Sequence, residues 1–345
     1  MAFVEFEITD LVEQFMAVTG AEDTVAMLFL QQSGWNVQSA VNTFLDQASC
    51  GSCEGNRDNP VMVSEDDVST LSMGSSNKEQ KDEQSNPNLT VLSWNVDGLD
   101  ERNILERTRN VCHIINNRKP DAVFLQEVIS QTLAIYQSKC PGYLCKCGPT
   151  HGAYFNIMLL KNSSVKPTSN HQCTHFSSSQ MGRHLLCQPA IFRDKTEIIL
   201  MTSHLESTLK CKNERKRQLA EVLACITDQP GEATVVFGGD TNLRDAEVSA
   251  IGGLPSGIVD AWEQCGRPKE AEFTWDMQMN DNPEWPYPKK PKIRFDRMFV
   301  RPGQGLHALK TTRFELVGME RLPGCRRFPS DHWGIWCEFT PLLTN

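Results

Sequence analysis

The feature that most constrains this chain is a series of short apolar runs, from Leu89 onward, that stop on polar or ionisable side chains. VLSWN ends at Asn95 with Asp97 two residues on, VFLQ runs into Glu127, LMTS into His204 and Glu206, and VVFGG into Asp240 and Asn242, while Asp331 and His332 stand just before WGIW. Apolar, β-branched-rich runs of about four to eight residues bounded in this way read as buried strands. Strands are expected over 89–95, 121–127, 154–160, 185–192, 197–203, 234–238, 293–300 and 333–339. Ile104, Thr108, Val111 and Ile115 make one helical stripe, and Leu219, Val222, Leu223 and Ile226 another. Helices alternate with strands early and strands follow strands later, so a mixed α/β architecture fits better than an all-parallel sheet. The polar strand ends then gather at one rim, where α/β folds place their clefts.

Charge divides the chain close to where these strands begin. Residues 1–88 hold 3 Lys/Arg against 15 Asp/Glu, a balance of −12, and residues 89–345 hold 31 against 28, or +3. The larger part therefore tolerates a phosphate backbone without being basic enough to hold one by charge alone. Three domains are expected: 1–47, a linker over 48–88, and 89–345. Residues 9–47 read as three short helices; Thr19-x-x-Glu22 has capping-box spacing for the second, and Val37, Ala40, Val41, Phe44 and Leu45 share one face of the third. With the Thr19-Gly20 turn and the Gly34-Trp35-Asn36 break, this segment resembles the ubiquitin-associated family of three-helix modules, which implies ubiquitin as a partner. Residues 48–88 are rich in Ser, Gly, Asn, Asp, Glu and Lys, the composition of a flexible acidic linker. Within it Val61-Met62-Val63-Ser64, followed by Glu65-Asp66-Asp67, resembles a SUMO-interacting motif that adds a strand to a sheet edge. No apolar run reaches the roughly 18 residues of a membrane helix, and the N-terminus lacks a signal-peptide pattern, so no membrane partner is expected. Thirteen cysteines, with Cys50-x-x-Cys53 and Cys145-x-Cys147 as isolated pairs, suit reduced thiols in an intracellular, soluble protein better than disulfides or zinc.

Carboxylates, carboxamides and histidines at the strand ends, without cysteine ligands, suit a hard oxygen-preferring cation: Mg²⁺, with Mn²⁺ as the alternative. That donor set points to metal-assisted phosphate chemistry. The segments Trp94-Asn95-Val96-Asp97-Gly98-Leu99, Leu125-Gln126-Glu127, Ser203-His204-Leu205-Glu206, Gly239-Asp240-Thr241-Asn242 and Ser330-Asp331-His332 together resemble the endonuclease/exonuclease/phosphatase superfamily. More narrowly, SHLEST, GDTNLRD, TWDMQMN, RFDRMF and RFPSDHWG resemble the 5′-tyrosyl-DNA phosphodiesterases, which also carry an N-terminal ubiquitin-associated module. The resemblance implies a two-sheet, four-layer α/β sandwich preceded by a small three-helix bundle. It implies Mg²⁺-dependent hydrolysis of the bond between a tyrosine and a DNA 5′-phosphate, the debris of a stalled type II topoisomerase. DNA with a 5′-tyrosyl adduct, preferably at single-stranded ends, and the topoisomerase peptide are then the substrates. The expected location is nuclear, with the cytoplasm second.

Carried over residue by residue, the resemblance makes Glu127 the metal ligand and Asp97 a second acidic contact. Glu127 is expected to be anionic at neutral pH without help. Asp240 orients and deprotonates the attacking water, Asn95 and Asn242 hold phosphate oxygens, and His332, oriented by Asp296, stabilises the pentavalent phosphate. Asp331 joins the water and metal network, and His204 is a second phosphate-side histidine. Trp275 and Phe295 form an apolar wall for the 5′-nucleotide, while Arg244 and Tyr154 face the tyrosyl peptide. Two bland readings stay open: Asp296 in a salt bridge to Arg294 or Arg297, and Trp275, Phe295 and Tyr154 as ordinary core. The segment 280–292, rich in Pro and Lys, reads as a surface loop near the substrate mouth. The rival functions are an abasic-site endonuclease or an inositol or nucleotide phosphatase of the same superfamily, and a ubiquitin-binding adaptor with an inactive catalytic fold.

Overall fold

The computed structural model describes residues 87–342 apart from 151 and 286–289, together with residues 11–12, 15–16, 19, 21–32 and 40 of the N-terminal stretch. The chain divides into two compact units, Met1–Asn86 and Pro87–Asn345. In the first, helix α1 (Asp23–Gln32) packs Ala26, Phe29 and Leu30 with Phe15 and Ala40, and the Phe15 and Phe29 rings stack at 6.1 Å. The Glu22 carbonyl accepts the Ala26 N–H and opens the helix, while Thr19 Oγ1 accepts the Ala21 N–H and donates to the Phe15 carbonyl. The Thr19 hydroxyl thus links the preceding turn to the residues that lead into α1. Val37, Val41, Phe44 and Leu45, the SUMO-like motif at 61–67 and nearly all of the linker lie outside the described residues.

The second unit holds two large sheets. The first has the order β14 (Leu309–Val317), β15 (Gly334–Pro341), β1 (Leu89–Asn95), β2 (Ala122–Val128), β4 (Phe155–Lys161), β3 (Tyr143–Cys147). The second runs β10 (Val259–Asp260), β13 (Asp296–Arg301), β9 (Thr234–Asp240), β8 (Thr196–His204), β7 (His184–Phe192), β5 (Val165–Pro167), with β6 (Gln172–His175) also paired to β7. β1 runs parallel to β2 and β8 parallel to β9; the remaining pairs are antiparallel. β11 (Trp275–Asp276) and β12 (Lys292–Ile293) form a small separate ribbon.

Side-chain alternation along the strands builds the layers. Leu89, Val91, Phe124 and Met158 of the first sheet meet Leu186, Leu200, Val236 and Met298 of the second in one apolar middle. The opposite faces bury Leu92 and Trp94 under helices α2 (Ile104–Arg118) and α3 (Ser130–Lys139), and Val235 and Phe237 under α4 (Lys212–Thr227). The result is the expected four-layer α/β sandwich. Both helical stripes are buried as read, Ile104, Thr108, Val111 and Ile115 on α2 and Leu219, Val222, Leu223 and Ile226 on α4. The expected single strand at 293–300 is instead two pieces, β12 and β13, interrupted at Arg294 and Phe295. Immediately before β13 the Phe295 carbonyl accepts from both the N–H and the Oγ1 of Thr241. Among the described residues no helix is long and apolar enough to cross a membrane.

Candidate active site

The sheet registers bring the polar strand ends together. In the second sheet His204 pairs with Asp240 and Asp240 with Asp296, so three ionisable side chains stand in a row across β8, β9 and β13. In the first sheet Asn95 closes β1 opposite Gln126, and the next residue of β2, Glu127, lies where the register with β4 shifts between Leu125 and Val128. That irregularity and a left-handed φ of 59° turn Glu127 out of the strand's alternation and towards the second sheet. His332 follows Ser330, whose Oγ donates to the Asn95 carbonyl and accepts the His332 N–H, and Trp94 Nε1 donates to the His332 carbonyl.

Asn95 ties the two sheets together. Its Nδ2 donates to Glu127 Oε1 at 3.0 Å and to Asp240 Oδ2 at 2.9 Å, and its Oδ1 accepts the Asp97 N–H. The amide thus bridges two carboxylates, each of which would otherwise repel the other. Asn242, at φ 52°, gives its backbone N–H to Asp240 Oδ1 and its Nδ2 to the Leu205 carbonyl. Asp97 lies beside Arg107, with Oδ2 at 3.4 Å from Nη1, rather than among the ligand groups described below.

Two histidines flank Asp240 in opposite states. Arg183 Nη1 donates to His204 Nδ1 at 3.0 Å, so the ring proton sits on Nε2, 3.3 Å from Asp240 Oδ2. Burial, and then the Arg183 charge, holds His204 well below the usual histidine range. His332 Nδ1 lies 2.7 Å from Asp296 Oδ2, and its Nε2 is 3.8 Å from Asp240 Oδ2. Burial works against its charged form, but Asp296, Asp331 and Asp240 outweigh it and raise His332 well above the usual range. The surroundings thus favour the neutral form of His204 and the charged form of His332. Asp296 is free of the alternative salt bridges, because Arg294 and Arg297 pair with Asp245 and Asp260.

The carboxylates are strained by their own company. Burial first, then Asp331, pushes Glu127 up to about 7, and burial likewise raises Asp240 and Asp97. This corrects the expectation that Glu127 ionises without help: the strand end is half-buried and crowded by other carboxylates, not a fully solvated rim. Ligand atoms of Glu127, His204 and Asp240 lie within 4.8 Å of one another, as do those of Asp240, Asp296 and His332. Both His204 nitrogens and His332 Nδ1 already have partners, so a cation here is left chiefly with oxygen donors. Raised carboxylates gathered round an oxygen-rich point fit a hard divalent ion, whose charge would offset their repulsion.

Beside the carboxylates stands an aromatic wall. Trp275 and Phe295 are half-buried, 5.5 Å apart, and Phe295 lies 6.3 Å from His332. Trp275 bridges to His332 through the backbone and donates Nε1 to Asp331 Oδ2. Arg244 stacks over Phe295 at 5.5 Å, and Tyr154 lies 5.9 Å from His204 with the Arg183 guanidinium over its ring at 5.1 Å. Arg183 carries no motif signal in the sequence; it stands at the head of β7, and only the fold brings it to His204. Glu206 turns away, towards residues 179–181. Of the Pro/Lys-rich loop, Asn280 and Asn282 are buried and bond the carbonyls of Ser330 and Phe328, which anchors its start beside the site.

Comparison with known proteins agrees with this geometry. The UBA-like domain family matches residues 9–49, and the Endonuclease/Exonuclease/phosphatase family matches residues 92–332. Tyrosyl-DNA phosphodiesterase 2 of Gallus gallus is 40% identical over 341 residues, covering 96% of this chain and 90% of its own length. That of Bos taurus is 38% identical over 341 residues, with coverages of 96% and 92%. The crystal structure of D. rerio TDP2 complexed with single-strand DNA product is 41% identical, with a TM-score of 0.71, and covers 74% of this chain and 100% of the solved one. The chain therefore belongs to the endonuclease/exonuclease/phosphatase family and, within it, to the tyrosyl-DNA phosphodiesterase 2 group of phosphodiesterases.

Proposed function

We propose that this chain hydrolyses the phosphodiester between a tyrosine and a DNA 5′ end, as left by a trapped type II topoisomerase, and leaves a 5′-phosphate. The observation that carries the reading is the pair of histidines flanking Asp240, His204 held by Arg183 and His332 held by Asp296. Hydrolysis of a phosphodiester needs one group to accept a proton from water and another to face growing negative charge on phosphorus oxygens. Asp240, lifted by burial towards neutrality, serves as acceptor and orients the water with His204. His332, kept protonated by Asp296, faces the phosphate as a cation, and Asp331 completes its surroundings. Glu127 would hold a divalent cation, Mg²⁺ or Mn²⁺, with Asp97 as an outer acidic neighbour and Asn95 and Asn242 fixing the carboxylates. Bound there, the ion supplies neutralisation of the non-bridging oxygens. The phenolate leaving group, with a conjugate-acid pKa of about 10, needs no strong acid behind it.

Substrate choice rests on the walls. Trp275 and Phe295 offer a stacking face for an unpaired base or sugar, and Arg244, Tyr154 and Arg183 offer cation–π and aromatic surface to a tyrosyl peptide. Single-stranded ends are favoured because a base stacked in a duplex does not present its face. The UBA-like segment supports ubiquitin as a partner, the motif at 61–67 is proposed for SUMO, and a nuclear location follows from the substrate. The test compares initial rates on 5′-phosphotyrosyl DNA, abasic duplex DNA and inositol phosphates. Preference for the first by orders of magnitude is expected; a preference for either other substrate, or no turnover of any, gives way to the rival phosphatase, endonuclease or inactive-adaptor readings.

A further inference from the structure

Resting on that reading for its substrate, we infer that Glu206 is a positioning residue that acts on the reaction through Arg183. Glu206 is fully buried, and its carboxylate is the template on which the tip of the β6–β7 hairpin is folded. Oε1 accepts the backbone N–H groups of Gln180 and Met181, and Oε2 accepts from Ser179 Oγ at 2.8 Å. Three donors of one turn thus converge on an acceptor from a different part of the chain. Glu206 itself is held from the other side by α4. Gln218 accepts the Glu206 N–H and donates to Oε2, both at 2.8 Å, and Arg215 donates to the Glu206 carbonyl.

The turn so built delivers Arg183. Ser179 Oγ, while donating to Glu206, accepts the Arg183 N–H at 2.8 Å. Arg183, almost fully buried, then donates to His204 Nδ1 and lies over Tyr154. Its Nε is buried with no partner among the described residues, so the guanidinium fork keeps one donor unspent beside the site. The chain of contacts runs Glu206, Ser179, Arg183, His204, Asp240; Ser179 fixes the Arg183 backbone, and from there the guanidinium reaches His204. Through the Arg183 bond Glu206 decides which His204 nitrogen carries the proton, and so whether Asp240 meets a donor or a lone pair.

The experiment uses the full chain, ¹⁵N-labelled at histidine, with His204→Gln to assign the His204 ring signals. In the wild type His204 is expected as the Nε2–H tautomer. In Glu206→Gln, whose amide N–H₂ faces donors, a mixture of tautomers is expected. On a 5′-phosphotyrosyl oligonucleotide Glu206→Gln and Arg183→Ala are each expected to lower kcat/KM by about tenfold or more, and the double variant to match Arg183→Ala within about twofold, since coupled residues are not additive. Additive losses, or a Glu206→Gln enzyme with the wild-type tautomer and rate, overturn the inference. If Glu206→Gln does not fold, Ser179→Ala must show the same tautomer mixture and rate loss, and its failure to do so overturns it equally. A wild type inactive on the tyrosyl substrate defeats the proposed function alone, because the tautomer readout still decides the role of Glu206.

Discussion

Glu127 holds its place against its own electrostatics. Its carboxyl is pushed up to about 7 by burial and by Asp331, well above the roughly 4.3 of an unfolded glutamate. The folded, cation-free state therefore binds this proton more tightly than the unfolded state does, so the Glu127 contribution to stability is greatest at low pH and is lost as pH rises through about 7. Glu127→Gln removes the penalty. In EDTA at pH 8 the variant is expected to melt a few degrees above wild type, with the gap closing towards pH 5, on the scale that a change of about 1 kcal/mol produces. A lower melting temperature at pH 8 would show that Glu127 is not strained in the free protein. Such opposition between stability and use is common at active sites.

His332 is raised as well, but by the attraction of carboxylates rather than by burial. Asp296, Asp331 and Asp240 outweigh burial and raise it, so its protonated form persists to high pH. In Asp296→Asn the nearest of these carboxylates is lost, and the alkaline limb of the kcat/KM profile is expected to move to lower pH, with at least about a tenfold loss at its optimum. An unmoved limb would show that His332 does not act as the cation.

At the scale of elements, what the sequence makes legible is the strand ends, and what it hides is the irregularity that aims them. The runs ending at Asn95, Glu127, His204 and Asp240 are readable because strands buried on both faces are continuously apolar. The β2 irregularity is not, since Leu125, Gln126 and Glu127 carry no turn signal, yet it is what swings Glu127 into the site. β14 escapes for a related reason: its register with β15 shifts between Thr311 and Arg313, which breaks the two-residue alternation. α3 escapes because only Thr132 and Tyr136 of its ten residues are buried, too few for a stripe. Glu127 also depends on Gly98, where an added Cβ would lie 2.0 Å from the Glu127 carbonyl oxygen. Gly98→Ala must displace that backbone. It is expected to weaken divalent-cation binding and lower kcat by about tenfold or more, since small displacements of a catalytic group are costly. Unchanged calorimetric cation affinity and rate would show that the Glu127 backbone has room to move.

For the whole molecule, the division at residues 86 and 87 separates an acidic segment with a UBA-like match from the unit that contains all of the site residues described above. The fragment 87–345 is expected to turn over a short tyrosyl oligonucleotide within about twofold of the full chain, and to lose capture by immobilised ubiquitin, because residues 1–86 share no catalytic group with it. A folded but inactive fragment would mean that the N-terminal unit takes part in the chemistry.

The most direct measurement of the central claim is tyrosine release from a single-stranded 5′-phosphotyrosyl oligonucleotide by wild type and Glu127→Gln, each with Mg²⁺ and with EDTA. Tyrosine and a 5′-phosphorylated strand are expected from wild type with Mg²⁺. The other three reactions are expected to be slower by about 10² or more, the scale on which single catalytic groups act. Equal release by wild type in EDTA, or by Glu127→Gln with Mg²⁺, would contradict a cation-assisted centre built on Glu127.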